Sequence, residues 1–392
     1  MAETNVQQAV SGEERATLAL FSVEGIGPAT LFVIRRELGS LDEALRAKKE
    51  RLLPLLRDDR TRQRVLELGD LSLLADRCLA RADRVGARVL FPGRPEWPRQ
   101  LRGLEFPPVL YVRGALAPAR PRVAIVGSRR ADDYGEQLAG FFAAELSSRG
   151  VGIVSGGALG VDAAAHREAM GNSGGTLAVL GSGVDVVYPK EHQALLREIA
   201  TGGGAVVSHF PPGTPALAQN FQVRNRLIAA LADAVLVARA GAASGALGTA
   251  EAALKLKRPL FAVPGDVTCE LACGTNALLE SGNARAATGL SPIAEAIGLK
   301  GSEWPSAAPP THGSAARPRA RSARTVAPGR RKAADVPAEL RAVWAALGSE
   351  PVQLDELARR CGLDLARLAD ALVRLEVVGL CQERLGKLFV RT

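Results

Sequence analysis

Apolar positions change period along the chain, and the changes divide it. Over residues 13–82 they recur at helical spacing with few β-branched runs, and stretches 16–22 and 29–38 are each apolar-periodic. Between those two stands Val23-Glu24-Gly25-Ile26-Gly27-Pro28, a Gly-rich turn between short helices. From about residue 85 to 298 the pattern becomes short β-branched runs punctuated by glycine. They read VAIVGSRR (123–130), IVSGGALGVDAAAH (153–166), AVLGSGVDVVYPKEH (178–192), FQVRNR (221–226), ASGALGTAEAAL (243–254) and FAVPGD (261–266). An apolar run, a Gly turn and a helix-forming stretch make one βα unit. Several in series predict a parallel sheet with its loops gathered along one edge. Ahead of them, residues 91–98 form a proline-broken extended stretch, and 109–114 read as a strand. The last segment predicts helices at 338–347, 355–361 and 365–375, then an apolar hairpin through Leu380 and Leu388-Phe389-Val390. Three helices and a terminal hairpin are a winged-helix pattern.

With 392 residues, 47% of them hydrophobic, the chain can bury a large core and exceeds what a single core usually serves. The net charge of +9 sits mostly in one place. Residues 304–334 hold Arg317, Arg319, Arg321, Arg324, Arg330, Arg331 and Lys332 with no acid, which leaves only +2 for the rest. That Pro/Ala/Arg/Ser-rich segment reads as a disordered linker, able to hold phosphate without sequence preference or simply to solvate the chain. Residues 337–392 carry eight basic and eight acidic side chains, so the winged helix is expected to contact protein rather than duplex DNA. Five scattered cysteines (Cys78, Cys269, Cys273, Cys361, Cys381) fit a reducing cytoplasm, and no second Cys or His pair accompanies Cys269 and Cys273 at metal-ligand spacing. No secretory signal or membrane span is expected.

The glycine turns carry the candidate chemistry. Gly127-Ser128-Arg129 combines close backbone approach, a hydroxyl, helix-start amides and a guanidinium fork, all suited to a phosphate. Ser155-Gly156-Gly157 and Gly181-Ser182-Gly183 are further turns of this kind, and Lys190 follows Tyr188-Pro189 as a point charge near the same edge. Each turn alone is equally well a packing turn. Neither a dinucleotide fingerprint nor a P-loop occurs. The Gly-Ile-Gly-Pro turn matches the hairpin of helix-hairpin-helix modules, or serves as a tight interhelical turn in a protein-contact module. The histidines (His166, His192, His209, His312) form no metal-spaced pair, and Asp162 with His166 reads as a helix cap and a packed ring rather than a dyad. No catalytic set, metal or cofactor is expected. One enzymatic hint remains: Ser244 to Glu251 is similar to the P-G-G-x-G-T-x-x-E loop of phosphoribohydrolases, with its first glycine pair altered. That alternative would use Glu251 with Arg129. Aromatics are only 4% of the chain, so contact is expected mainly with phosphates, with Tyr134, Tyr188 and Phe221 near the loops available to stack a base or two.

The motifs also stand in a telling order. Residues 97–101 and 107–114 resemble Y-P-x-x-L and P-P-x-x-L-Y-x-x-G; 126–129 match V-G-S-R; and 155–166 resemble S-G-x-A-x-G-x-D-x-x-A-H. Then 188–190 match Y-P-K, 221–226 match F-x-x-R-N-R, 244–250 match S-G-x-L-x-T-A, and 262–265 match A-V-P-G. Together they resemble the DNA-processing protein A family (DprA, also called Smf) over nearly the whole chain. The resemblance implies an α/β fold class: an extended Rossmann-like core (85–300) after an N-terminal helical, helix-hairpin-helix or SAM-like domain (1–84). A basic linker (301–336) and a C-terminal winged helix (337–392) would follow. It implies a single-stranded DNA pocket built on Gly127, Ser128, Arg129, Ser155, Gly156, Gly157, Lys190, Phe221, Arg224, Asn225, Ser244 and Gly245. It further implies a homodimer that protects incoming single strands in natural transformation, helps displace single-strand-binding protein and loads a RecA-type recombinase. The chain departs from the family pattern at Leu159, where an Arg is usual, at His192 in place of Asn, and at Arg239 in place of Glu. The first loses a phosphate contact; the last adds a positive charge.

Overall fold

The computed structural model describes residues 10–299 except 105, 108, 118 and 119, and residues 340–391 except 349–351, 378–379 and 385–387. The basic stretch 301–336 lies outside the described residues. The chain forms two compact units.

In the first unit six helices precede the sheet: α1 (Gly12–Phe21), α2 (Pro28–Leu38), α3 (Leu41–Arg46), α4 (Lys49–Leu52), α5 (Asp59–Glu67) and α6 (Ser72–Arg84). Ser11 caps α1 in a reciprocal capping box with Glu14, and Ser40 and Asp58 cap α3 and α5. The helices own a core around Ala16, Leu20, Ile34, Leu52, Leu56 and Val65. Their opposite side is equally apolar: Leu18, Ala75 and Cys78 pack with Tyr111, Ala178 and Val206 of the sheet region. The Glu14 carboxylate then accepts a two-point bond from Arg94 (2.6 and 2.5 Å), which ties α1 to the proline-broken stretch.

The strands are β1 (Arg88–Leu90), β2 (Leu110–Gly114), β3 (Arg122–Gly127), β4 (Gly152–Ser155), β5 (Thr176–Val179), β6 (Ala205–Ser208), β7 (Ala234–Arg239), β8 (Leu260–Ala262) and β9 (Arg285–Ala286). They form one sheet in the order β1-β2-β6-β5-β4-β3-β7-β8-β9. Neighbours from β6 through to β9 are parallel, while β2 and β1 join antiparallel at the β6 edge. Intervening helices are α7 (Asp133–Ser148), α8 (Val161–Ala169), α9 (Gln193–Thr201), α10 (Ala218–Ala230), α11 (Leu247–Lys255), α12 (Cys273–Glu280) and α13 (Ser291–Ala296). Strand β3 is buried on both faces, as its unbroken apolar run requires. Its alternate residues divide: Val123 and Ile125 pack with Leu138 and Phe142 of α7, while Ala124 and Val126 pack with Leu227 of α10 and Ala250 of α11. Because β4 lies on one side of β3 and β7 on the other, the chain reverses direction across the sheet at β3. In open α/β sheets that reversal opens a crevice at the carboxyl ends of the strands.

Residues 221–226, expected among the edge turns, lie inside α10. Apolar Leu227 and Ile228 continue the helical period and bury that segment's C-terminal half. Residues two apart on a helix face nearly opposite ways. So Arg224 points inward and is 5% exposed, while Arg226 is exposed.

The second unit holds α14 (Arg341–Ala346), β10 (Val352–Gln353), α15 (Leu354–Cys361), α16 (Leu365–Val377), β11 (Cys381–Arg384) and β12 (Leu388–Arg391). Its strands pair antiparallel in the order β10-β12-β11, over a core that includes Val343, Leu357, Leu372 and Phe389. This is the expected winged helix, with one short strand, β10, that its two-residue length hid from the sequence pattern. Among the described residues no helix is long and apolar enough to cross a membrane.

Candidate nucleic-acid interface

The crevice at the β3 reversal is a cavity of about 1000 Å³. Of the expected residues, Gly127, Ser128, Arg129, Phe221, Arg224, Asn225, Ser244 and Gly245 line it. Ser155, Gly156, Gly157 and Lys190 do not. Five cations (Arg129, Arg130, Arg224, Arg226, Lys255) face it against two acids (Asp162, Glu251), a balance of +3. Arg129, Arg130 and Arg226 are exposed and make no ion pair with a described residue. Phe221 sits among them: the Arg129 and Arg224 guanidinium carbons lie 5.2 and 5.6 Å from its ring centre. Tyr188 is 45% exposed, with its ring 5.4 Å from that of Phe221. Lys190 follows two residues later and is exposed.

Several amides of the glycine loops that the sequence offers to a phosphate are engaged within the fold. The Ser128 N–H donates to the Arg239 carbonyl (2.7 Å), and the start of α7 is capped by Asp132, whose Oδ1 accepts from Gly135 N–H (2.9 Å). In the second loop, the Gly156 and Ala158 N–H groups donate to Asp162 Oδ2 (3.1 and 3.3 Å), and the Gly157 N–H donates to His166 Nε2 (3.2 Å). Ser155 is fully buried and donates to the Ile125 carbonyl (2.6 Å). In the third, Ser182 donates to the Val186 carbonyl and Gly183 N–H to that of Thr214. These donors are spent inside the fold, and the exposed side-chain cations add the positive charge that attracts an anion.

Asp162 therefore does not cap α8, whose N-cap is Gly160. It lies in the first turn and reaches back to hold the preceding loop. Its other partner is Arg224, with Nη1 3.8 Å from Oδ2. Both are buried. Burial raises the Asp162 carboxyl above its ordinary value, opposed by Arg224 and the two amides, and burial lowers the Arg224 guanidinium, opposed by Asp162. His166 packs as expected. Nδ1 faces Thr176 Oγ1 at 2.7 Å, the Thr176 hydroxyl donates to the Ile153 carbonyl, and burial holds the ring neutral, down to about 3. Gly160 has φ +71°, and a Cβ there would stand 2.4 Å from the Ser128 carbonyl oxygen. Gly160→Ala is expected to destabilise the protein by about 2 kcal/mol, measured as a lower urea midpoint.

Asn225 shapes the site rather than facing a ligand freely, since its Nδ2 donates to the Gly245 carbonyl (3.1 Å) and holds the loop before α11. The departures resolve as follows. Arg239 adds no free charge to the crevice: its guanidinium binds both oxygens of Asp132 (3.2 and 2.5 Å) and reaches Cys269 Sγ (3.0 Å). It also lies over Tyr134, 5.6 Å from the ring centre, which draws that ring into the scaffold. His192 Nδ1 lies 2.8 Å from the Gly157 carbonyl, and Leu159 is 44% exposed. Arg130 and Lys255 were missed by the sequence reading; Arg130 directly follows Arg129, and that adjacency was its only signal. Glu251 lines the cavity, but Lys255 Nζ lies 2.6 Å from its Oε1, and that bond lowers its pKa. No group of three or more His, Cys, Asp or Glu able to hold a metal occurs among the described residues.

Fold and site together define a Rossmann-like protein with a winged-helix unit and a cation-lined crevice at its strand-order reversal. The sequence profile for DNA recombination-mediator protein A matches residues 88–298, and that for the DprA winged helix domain matches 327–387. A DprA of Mycobacterium tuberculosis is 39% identical over 323 residues, spanning 78% of this chain and 77% of its own. Protein Smf of Synechocystis is 30% identical over 403 residues, spanning 97% and 99%. The X-ray structure of DprA from Streptococcus pneumoniae covers 74% of this chain and 98% of its own, with a TM-score of 0.61 and 27% identity. The chain belongs to the DprA/Smf family of DNA-processing proteins.

Proposed function

We propose that this protein binds single-stranded DNA through its phosphate backbone in the switch-point crevice and acts as a recombination mediator. One observation carries the reading: exposed Arg129, Arg130 and Arg226, with no ion pair to a described residue, border a cavity that also holds the aromatic ring of Phe221. A base stacked on that ring must be out of a duplex, which favours single strands. Contacts made mainly to phosphate give affinity without sequence preference. Homodimer formation, displacement of single-strand-binding protein and loading of a RecA-type recombinase complete the reading and rest on family membership.

Titrating the full-length protein with single- and double-stranded oligonucleotides at two salt concentrations tests it. Single strands should bind tighter, with affinity falling steeply as salt rises; equal affinity for both forms would remove the reading. Lys190→Ala should weaken single-strand binding by only about two- to threefold, less than Arg129→Ala, because an exposed charge off the cavity wall is screened. The competing reading, hydrolysis of a nucleotide by Glu251 with Arg129, is favoured only by their shared cavity. We expect no free base from nucleoside monophosphates, and base release abolished by Glu251→Gln would establish that reading instead.

A further inference from the structure

A second cavity, of about 490 Å³, adjoins the first. Its walls include Gly25 and Gly27 of the turn between α1 and α2, Ala29 in the first turn of α2, Arg57 before α5, and Phe106. Arg226 and Leu256 line both cavities, so Arg226 stands at their junction. The Phe106 ring holds it there, 4.8 Å from the guanidinium carbon.

The wall of this cavity is positive. Arg57 and Arg226 are both exposed, and neither forms an ion pair with a described residue. Acids nearby are already engaged: Glu24 pairs with Arg64 (2.7 Å), Asp59 pairs with Arg62 (2.6 Å), and Asp58 accepts from the Thr61 N–H (2.8 Å). Helix α2 starts here on Gly27, which offers no capping side chain, and its first turn contains no acid. The partial positive charge of that helix end is therefore uncompensated.

We propose that this cavity is a second phosphate subsite for the same strand. A single strand leaving the switch-point crevice past Arg226 lays a further phosphodiester between Arg57, Arg226 and the start of α2. This inference rests on the reading that the first cavity holds single-stranded DNA. It makes the N-terminal helices part of the DNA footprint, and gives the Gly-Ile-Gly-Pro turn a ligand as well as a packing role.

The test compares full-length wild type, Arg57→Glu, Ala29→Glu and Arg129→Ala on oligothymidylates of about 6 and about 20 nucleotides. Ala29 is exposed, so its replacement puts a carboxylate at the subsite without disturbing the core. Each acidic variant should lose about tenfold in affinity for the longer strand and reduce the salt slope by about 0.7, while the shorter strand changes by less than about twofold. Arg129→Ala should weaken both lengths. If both acidic variants leave the longer strand unaffected while Arg129→Ala still weakens binding, the subsite is overturned and the first-cavity reading stands. Equal losses on both lengths also overturn it, because Arg57 would then not mark a separate station. If Arg129→Ala changes neither length, the first-cavity reading fails and this inference falls with it.

Discussion

Arg224→Ala is expected to destabilise the protein by about 3 kcal/mol or more at neutral pH, the usual cost of leaving a buried charge without its partner. Asp162 would keep its two amide donors, from Gly156 and Ala158, but lose the only cation in contact with it among the described residues. The pH dependence has a definite sign. Burial already raises the Asp162 carboxyl in the folded state, and Arg224 opposes that rise. Removing Arg224 raises it further. A carboxyl whose folded pKa exceeds its unfolded value gives its full contribution below the unfolded value, and loses it as pH climbs through the folded one. The deficit of the variant should therefore be largest near pH 7 and shrink toward about pH 4. Urea unfolding of both proteins across that range reads it directly, and a deficit independent of pH would refute the coupling. Asp162→Asn with Arg224→Ala should cost less than the sum of the single changes. Gly156→Ala should resemble Arg224→Ala, because a Cβ there would lie 1.3 Å from Arg224 Nη1 and drive the guanidinium away.

The paired replacement Arg129→Ala with Arg226→Ala should have the largest effect on binding. Each guanidinium is exposed and free to meet a phosphate, and a charge-assisted contact is worth about 1.5 kcal/mol or more, roughly tenfold. Losing both should weaken single-strand binding about 100-fold at low salt and flatten the salt dependence by about 1.4, or 0.7 per phosphate. Neither side chain is in the core, so unfolding stability should move by less than about 0.5 kcal/mol. Stability and affinity thus separate these two cations from Arg224, whose loss strikes both. An unchanged salt slope would show that the strand is held elsewhere. Repeating the measurement with residues 305–334 deleted removes the basic linker's non-specific contribution and should leave the difference between wild type and double variant intact.

Much of the fold was legible in the chain. The change of hydrophobic period marks the helical start, and β3 reads as a strand buried on both faces because Val123, Ala124, Ile125 and Val126 leave no polar side. Its alternation also divides two cores. The site was legible only as a set of residue types. Glycine turns after strands suggested backbone amides presented to a phosphate, yet the fold gives the Ser128 amide to Arg239 and those of Gly156 and Gly157 to Asp162 and His166. A hydrogen-bond donor has no sequence signature for the acceptor it will meet, since that acceptor comes from a distant element. Arg239 shows the same limit: an added cation by composition, it is neutralised by Asp132, 107 residues away.

By itself, then, the sequence determined the α/β core and the C-terminal winged helix, the concentration of charge in residues 304–334 and, through the order of its motifs, the family. Those depend on local period and residue identity, which a linear string preserves. Only the tertiary structure decided which cations are free. Arg224 and Arg226 are two residues apart and chemically identical; the helix turns one toward a buried carboxylate and the other toward two open cavities. Burial and pairing are properties of the assembled neighbours, and these separate a structural arginine from one available to DNA.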